Sequence, residues 1–423
     1  MGLHQYCSKE ECIERQGLGQ VSELEATLQT CRLSQSNRIL DPRIAVSKYR
    51  RSAAGGDDGR PVRNKTQLQK TLSHLIQICA TLRPTPDHPP IENMDTVIHF
   101  VVDRLRACQS DATRRMSNPK TCVPSSWHAK VIRILIWLRY HSCGPTEGDN
   151  VTANSTARTI DHMRSTAYDA YWNTLDPQPE FVRIDDDEML CYDATTRMCA
   201  ALKHSATNCA TSLESSWNGM LLEFQKRRRP ENIYPQWNLI LRIASHTRRE
   251  EFYVLWKEDH PLTKELPVLA KLILSCEVML LGRYRTVQHY NKSFGKGESV
   301  SDMNLLLGIP ESDAIGEGWS VEYANVFGVP VEETMNSEID PKTNTTSLAV
   351  TMTLKQVAIP ELDSRKIDAT MAVRIQMADR RWIFGEDFDS ASSNRMGISR
   401  ESICRLLEFG CGPSIRINAM SNT

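Results

Sequence analysis

The chain has 423 residues, of which 40% are hydrophobic and 24% are charged, with 51 Lys and Arg against 52 Asp and Glu. This composition is ordinary for a globular protein, and the length predicts a large core divided among two to four domains. No apolar run reaches the roughly 18–20 residues that cross a bilayer, and the first residues lack the pattern of a secretory signal. We therefore expect neither a membrane partner nor secretion.

The charge is unevenly distributed, although the net charge is only −1. Residues 101–143 contain eight Lys and Arg against two Asp, whereas residues 301–345 contain nine Asp and Glu against one Lys. Such stretches of opposite sign are either solvated faces or surfaces that bind different partners. The 13 cysteines follow no disulfide framework, which predicts reduced thiols in the cytosol or the nucleus.

An extended N-terminal arm is predicted over residues 1–60. Within it, Ser22 is placed to cap one short helix, and Glu25 is placed as the returning partner of a capping box. Asp41 and Pro42 give a turn or helix-start signal, and the run 54–59 has the Gly and Asp content of a flexible loop.

Helical periodicity dominates residues 61–300, which we expect to form a stacked, TPR-like helical array. Apolar residues repeat at three- and four-residue steps from Met94 to Ala112 and form one stripe. Residues 131–138 are apolar nearly all round, which predicts a helix that is buried on several sides. Further helical stretches are expected at 158–174, 188–226, 233–257 and 264–290, with polar linkers at 143–157 and 175–187.

The pattern changes after Gly297. Short helices are predicted at 301–307 and 319–327, and alternating apolar residues then predict strands at 348–354 and 371–377. Two helices followed by two strands are the elements of a winged-helix domain, expected over 301–377, before a tail at 378–423 with one amphipathic turn. The chain is thus predicted to be mainly α, and its order of modules resembles the PCI architecture of proteasome-lid, signalosome and initiation-factor subunits.

Two short runs carry a more specific pattern. The first is Asp-Pro-Arg-Ile-Ala-Val-Ser-Lys-Tyr-Arg-Arg-Ser-Ala-Ala-Gly at 41–55, and the second is Asp-Arg-Leu-Arg-Ala at 103–107. With Cys7 and the acidic pair 10–11, they resemble the signature of the Sac-three/GANP (germinal-centre-associated nuclear protein) family. Ser47 and Ser52 stand where that family usually has a lysine and a proline, and weaker likeness continues to about residue 330. The resemblance implies a short member of this family, a helical scaffold of nuclear mRNA export with the PCI-type fold.

The resemblance also implies a structural role for six signature residues: Asp41, Pro42, Tyr49, Arg51, Asp103 and Arg104. Asp103 and Arg104 would lock the N-terminal arm against the predicted helix 92–116. Spacing alone offers solvated pairing along that helix instead, Asp103 with Arg106 and Asp111 with Arg115. A third interpretation is that nucleic acid is contacted by Arg106, Arg114 and Arg115. The spacing does not choose among these three.

A second group of cations follows the middle of the chain: Lys226, Arg227, Arg228 and Arg229. They precede Pro230 at a predicted helix end, where they either complement the helix dipole, contact phosphates or form a nuclear-import signal. Residues 226–292 hold 13 Lys and Arg against seven Asp and Glu, including Arg283 and Arg285. Several of these on one face would bind RNA weakly and without sequence preference. The acidic run 301–345 instead favours protein contacts for the winged helix.

No catalytic or cofactor-binding motif is recognised, and no metal is expected. Zinc could chemically be held by His4, Cys7, Cys12 and Cys31, but the chain contains no Cys-x-x-Cys pair. The acidic run 185–188 lacks the alternating spacing of a calcium loop and indicates a helix start. His-Glu-x-x-His, Gly-x-Ser-x-Gly and the phosphate-binding Gly-rich loop are also absent from the sequence.

Two function classes follow from this sequence. The leading hypothesis is a non-catalytic scaffold of a transcription-coupled mRNA-export complex, in the nucleus and more specifically at the nuclear pore. It pairs with a second PCI-domain protein, contacts RNA, and takes a small acidic subunit of the proteasome-lid type as a further partner. The alternative within this class is a cytoplasmic or centrosomal PCI-type adaptor without RNA binding, because no Phe-Gly repeat segment follows the predicted winged helix. An enzyme whose site is assembled from distant histidines and the run 185–188 is the competing class, which the missing motifs disfavour.

Overall fold

A computed structural model describes residues 6–50, 62–116, 121–142, 150–174, 186–205, 251–256, 265–293 and 398–410, with short stretches and single residues between 239 and 383. The described residues are mainly helical, which confirms the predicted mainly α class. The chain divides into two compact units, Met1–Met189 with Ser392–Thr423, and Leu190–Ala391. The predicted domain bounds at 60, 300 and 377 stay predictions.

The N-terminal segment contains helix α1 (Lys9–Gly17) and two 3₁₀ turns, Glu23–Glu25 and Gln35–Asn37. Ser8 caps α1, since its Oγ accepts a hydrogen bond from the backbone N–H of Glu11 at 3.2 Å. Ser22 caps only the first 3₁₀ turn, so the helix predicted after it was wrong in place and length. The physical reason is that Leu24 and Glu25 are buried while Leu28 and Leu33 are each 45% exposed, so no apolar stripe forms there.

The first unit is built from longer helices. These are α2 (Lys65–Thr81), α3 (Met94–Arg115), α4 (Ser125–His141), α5 (Asn150–Asn173) and the start of α6 (Asp186–Ser205). A capping box between Asn64 and Gln67 starts α2, and Leu82 ends it in the left-handed conformation, with φ 56°. The predicted stripe from Met94 to Ala112 lies on α3, and its apolar residues are buried from Val97 onward while Met94 is half-buried.

Helix α4 is the centre of this unit. Every residue from 131 to 138 is buried, as its nearly continuous apolar sequence predicts. It packs against α2, α3 and, most extensively, α5. Helix α5 begins at Asn150, so the second half of the linker predicted at 143–157 is helical. Helix α6 begins at Asp186, inside the acidic run 185–188, at the helix start that this run predicts.

The described part of the second unit includes the 3₁₀ turn Phe252–Leu255, helix α7 (Val268–Leu274), a π-helical turn Ser275–Met279 and helix α8 (Leu280–Ser293). Three short strands follow, β1 (Glu298–Ser299), β2 (Glu332–Thr334) and β3 (Ala349–Met352). They form an antiparallel sheet of order β1-β3-β2, with Ser299 and Glu332 both opposite Thr351. The strand predicted at 348–354 is therefore present as β3, while the predicted elements 319–327 and 371–377 lie outside the described residues.

The last described element is helix α9 (Arg400–Phe409), at the amphipathic turn predicted within the tail. It belongs to the first unit, where it packs against α2 and α4. Ile403 and Leu407 are its buried positions, four residues apart on one face. Within the described part of the chain, no helix is long and apolar enough to span a bilayer.

Candidate functional site

The described part of the signature run, residues 41–50, is an extended segment that begins with a tight turn. Asp41 accepts backbone hydrogen bonds from Ile44 and Ala45 on its carbonyl oxygen, and its carboxylate accepts the N–H of Arg43 at 2.9 Å. The Arg43 side chain also donates to this carboxylate, at 2.7 Å, and these hydrogen bonds lower the pKa of Asp41. Pro42 sits inside the turn, where a missing N–H costs nothing because no partner is required of it.

Successive backbone N–H groups of the extended segment are bound by groups from other elements. Val46 donates to Glu25 Oε1 at 2.9 Å, Lys48 donates to Glu11 Oε1 at 2.7 Å, and Tyr49 donates to Asp103 Oδ2 at 3.3 Å. The N–H of Ser47 donates to the carbonyl oxygen of Tyr6 at 3.1 Å. The three carboxylates come from the first 3₁₀ turn, from α1 and from α3, so they fix the segment between these elements without any strand pairing.

Glu25 is the centre of a buried ionic cluster, and its side chain is fully buried beside Arg15 and Arg104. Arg15 donates to both carboxylate oxygens, and Arg104 donates to Oε2 from Nη2 at 2.8 Å and to Oε1 from Nε at 3.4 Å. Burial raises the pKa of Glu25, but the opposing effects of Arg104 and Arg15 are larger together, so that the pKa lies below its ordinary value. Glu25 is therefore a fixed anion with both oxygens occupied and is not a candidate proton acceptor.

Helix α3 contributes the other half of this cluster. Arg104 also pairs with Asp103 and lies over the Phe100 ring, its Cζ 4.7 Å from the ring centroid. Arg106 does not pair with Asp103 in the way that helical spacing suggests. Its guanidinium lies over the Tyr49 ring instead, with Cζ 4.2 Å from the centroid. Both ends of the signature thus meet on one face of α3.

The same correction applies about two turns further along α3. Asp111 pairs with Arg63, Nε to Oδ2 at 2.6 Å, rather than with Arg115. Arg115 donates to the carbonyl oxygens of Val62 and Arg63 at 2.7 and 2.6 Å, so its charge is used to hold the chain before α2. Arg114 is exposed.

The predicted basic residues of the second unit divide sharply. Arg283 is fully buried, donates from Nε to the carbonyl oxygen of Leu307 at 2.9 Å and lies 5.6 Å from the Trp256 ring centroid. It is therefore removed from the predicted nucleic-acid contacts, because no ligand reaches a side chain without exposed surface. Arg285 is half-buried and donates to Gln288 Oε1 at 3.2 Å. The structure does not describe Arg51 or the cluster Lys226, Arg227, Arg228 and Arg229.

Two further groups of side chains contact the N-terminal segment. The ring of His74, on α2, stacks on Tyr6 with centroids 4.8 Å apart, and burial lowers the pKa of His74 to about 4. Cys7, Cys12 and Cys31 belong to one buried apolar cluster with Val21, Ala26, Leu40 and Ala45. All three cysteines are free thiols, and no group of three ligand-type residues suited to a metal gathers among the described residues.

Sequence reasoning missed the anions and cations at the centre of the cluster. Arg15 and Glu25 lie ten positions apart, and Arg104 lies 79 positions from Glu25, so no local spacing joins them. Ser8 followed by Glu11 is a capping signature that could have located α1 and with it Arg15. Polar residues buried in pairs have no comparable sequence signal.

The described signature residues use their backbone N–H groups and charged side chains in internal hydrogen bonds and ion pairs, which indicates a structural role for them. The SAC3/GANP family model matches residues 6–181, which confirms the resemblance carried by the two short runs. That family is a scaffold family associated with nuclear mRNA export and is not known for enzymatic activity. No curated protein and no solved structure gives a significant match to the chain.

Proposed function

We propose that the chain is a non-catalytic scaffold of a transcription-coupled mRNA-export complex in the nucleus, with the nuclear pore as its place of assembly. The observation that carries this proposal is the internal use of the signature. Glu11, Glu25 and Asp103 hold the backbone of residues 46–49, and Glu25 is neutralised by two buried arginines. Charged residues used in this way rigidify a framework, and the framework then presents surfaces to partners.

The second unit supports a winged-helix module of the PCI type. A winged helix places a strand after its first helix, then further helices, and then a hairpin whose second strand pairs with the first strand. The sheet order β1-β3-β2, with β1 directly after α8, agrees with that arrangement. The helical residues at 306–307 lie in one of the two helices predicted between β1 and β2. On this basis the module begins at α8 rather than at residue 301.

Contacts of Trp256 and Arg283 fix residues 306–308, which lie between β1 and β2 of the proposed module. Trp256 Nε1 donates to the carbonyl oxygen of Leu306 at 3.0 Å, next to the carbonyl that Arg283 holds. Gly308 has φ 64°, and a Cβ there would collide with the Trp256 ring. Residues 306–308 are thereby tied to α8, the first helix of the proposed module, and to Trp256, which directly follows the 3₁₀ turn Phe252–Leu255.

The expected partners are a second PCI-domain protein and a small acidic subunit of the proteasome-lid type. The acidic run 301–345 lies in the proposed module and repels phosphate, which favours a protein partner over nucleic acid for this part of the chain. RNA contact is proposed for the cations that the fold leaves to the surface. Arg114 is exposed and Arg106 is half-buried, and both lie on α3.

Affinity capture of the tagged full chain from nuclear extract tests this proposal. We expect a PCI-domain protein among the captured proteins. We expect less of it to be captured by a variant in which three glutamates of the acidic run are replaced together by lysine: Glu311→Lys, Glu317→Lys and Glu322→Lys. A matched control makes the same charge change at exposed acids of the first unit: Glu10→Lys, Glu92→Lys and Glu401→Lys. Capture that returns no PCI-domain protein, or that both variants weaken equally, would refute the proposed pairing.

The second candidate function is a cytoplasmic or centrosomal PCI-type adaptor without RNA binding. The burial of Arg283 and the use of Arg104 and Arg115 in internal contacts favour it, because they reduce the cations available to phosphate. A fluorescent fusion of the full chain and a gel-shift titration with single-stranded RNA at low salt separate the two. Cytoplasmic or centrosomal signal with no shift supports the adaptor, whereas nuclear signal with a shift supports the export scaffold.

A further inference from the structure

Helix α9 fills a groove that is built by helices far from it in sequence. The groove lies between α2 and α4, inside the matched region 6–181, while α9 spans Arg400–Phe409 outside it. Ile403 and Leu407 point into the groove and are 1% and 0% exposed. The opposite face of α9 carries exposed residues such as Glu401 and Arg405. A short amphipathic helix with anchors at positions i and i+4 is a common form of peptide ligand.

The end of α9 is recognised by a specific set of charges on α4. Arg133 Nη1 donates to the carbonyl oxygen of Glu408 at 3.3 Å, and Lys130 Nζ lies 3.3 Å from Glu408 Oε1. The last carbonyl groups of a helix carry partial negative charge and lack helical partners, so two cations at this end favour a helix terminus over a continuing helix. The groove therefore selects where the bound helix stops.

Glu188 adds a steric requirement just beyond the helix end. It holds Arg133 through Nη2 at 2.6 Å and Nε at 3.2 Å, and both side chains are almost fully buried. Gly410 passes over this carboxylate with φ 71°, and a Cβ at that position would collide with it. Only glycine meets both conditions, because it has no Cβ and it adopts positive φ without strain.

We infer that the α2–α4 groove is a helix-binding site that α9 fills as a ligand in cis. The groove accepts a partner helix of the same chemistry, with apolar residues four positions apart, an acid directly after the second and glycine two positions beyond that acid. In this chain those positions are Ile403, Leu407, Glu408 and Gly410. Isolated helices of this length are marginal in water, so a bound α9 and an unfolded, released segment are the two states of the site. The partner helix competes with α9 for the groove.

A labelled peptide provides the first test. The probe is a fluorescein-labelled peptide of residues 396–412, added to the full-length chain. We expect it to bind the Leu407→Asp variant at least tenfold more tightly than the wild type, because a charged anchor expels α9 and empties the groove. A Gly410→Val peptide should lose at least tenfold in affinity for that variant. Equal binding to the two proteins, or equal binding of the two peptides, would overturn the inference.

A second measurement covers the case in which Leu407→Asp does not fold. A protease site replaces residues 388–394 in the otherwise wild-type full chain, and the cleaved protein is followed by size-exclusion chromatography. We expect the C-terminal fragment to stay bound and to be displaced by excess 396–412 peptide but not by its Gly410→Val form. A fragment that leaves on cleavage, or one that excess peptide does not displace, would contradict a ligand in equilibrium. A dimer of the uncleaved chain that exchanges α9 between copies would also overturn the assignment in cis.

Discussion

The substitution Glu25→Gln tests the buried cluster most directly, because it removes one charge and keeps the size and shape of the side chain. In the wild type the carboxylate accepts hydrogen bonds from Arg15, Arg104 and the N–H of Val46. After the change, one amide oxygen remains to accept from three donors, and the amide nitrogen faces two guanidinium groups. Arg104 still has Asp103 as a partner, so the unpaired charge falls mainly on Arg15.

The expected magnitude follows from the burial of these groups. Removing one partner of a buried ion pair destabilises a protein by about 3–5 kcal/mol, since the remaining charge stays desolvated. For a compact unit of this size, each kcal/mol lowers the melting temperature by about 2–4 °C, which predicts a decrease of roughly 6–20 °C. A second substitution, Arg15→Met, should cost less in the Glu25→Gln background than in the wild type, because the charge that it removes is already unpaired.

Thermal unfolding by circular dichroism measures the loss, and hydrogen exchange of residues 41–50 localises it. The matched control is Glu23→Gln, two residues away, where the carboxylate lies 3.6 Å from Arg38 and both side chains are about one fifth exposed. Partly exposed pairs contribute about 0–1 kcal/mol, so this variant should melt within about 4 °C of the wild type. Equal effects of the two substitutions, or unchanged exchange of the N–H of Val46, would refute the structural role of the cluster.

Four other predictions use the same structure. Burial lowers the pKa of His74 from about 6.5 in the unfolded chain to about 4 in the folded one. The free energy of unfolding should therefore keep the full contribution of His74 above pH 6.5 and fall by about 1–3 kcal/mol as the pH drops to 4, because the unfolded chain then binds a proton that the folded chain does not. Urea unfolding of the His74→Phe variant should lack this dependence. Asp103→Ala should lower the melting temperature, because the N–H of Tyr49 and Arg104 both lose an acceptor; an unchanged melt with lost partner binding would make Asp103 an interface residue instead. Gly308→Ala should destabilise the second unit by about 1–3 kcal/mol through strain and collision, while Gly17→Ala, which meets no atom within 4 Å, serves as the control in the same melt. Replacing Arg227, Arg228 and Arg229 together by Gln should weaken RNA binding at low salt and flatten its salt dependence by about one unit of slope per lost phosphate contact; anisotropy titrations that give an unchanged slope would limit the cluster to a helix end or an import signal.

Helices α3 and α4 could be predicted from the sequence, because the spacing of their apolar residues indicates which faces are buried. The spacing predicts one buried face for α3 and burial on nearly all sides for α4. Positions 94–112 show one apolar stripe and positions 131–138 show almost no polar side. The structure buries the stripe from Val97 onward and buries every residue of 131–138. Strand β3 was predictable for the same reason at a period of two. These signals are local, so no knowledge of the rest of the fold is needed.

The candidate site was only partly predictable, because the sequence around a charged residue does not identify the group with which its side chain pairs. Asp103 and Arg106 have helical spacing, yet Asp103 binds the backbone of Tyr49 and Arg106 covers the Tyr49 ring. The signature indicated that residues 41–50 and α3 matter together, but not that Glu25 joins them. A count of cations also cannot tell Arg283 from Arg285, although the fold buries the first and leaves the second half-buried.

Burial of arginine side chains also reduces the number of cations in residues 101–143 that are available to contact RNA phosphates. Of the eight Lys and Arg in residues 101–143, Arg104 and Arg133 are buried beside Glu25 and Glu188, and both acids come from outside that stretch. The surface of this stretch is therefore less positive than its sequence indicates, and Arg115 is further committed to backbone carbonyl oxygens. Because affinity for phosphate rises with the number of neutralised charges, we expect the chain by itself to bind RNA weakly. If RNA is bound as we propose, we expect the affinity to increase when a partner supplies further cations next to Arg106 and Arg114, so that the complex binds RNA more strongly than the isolated chain.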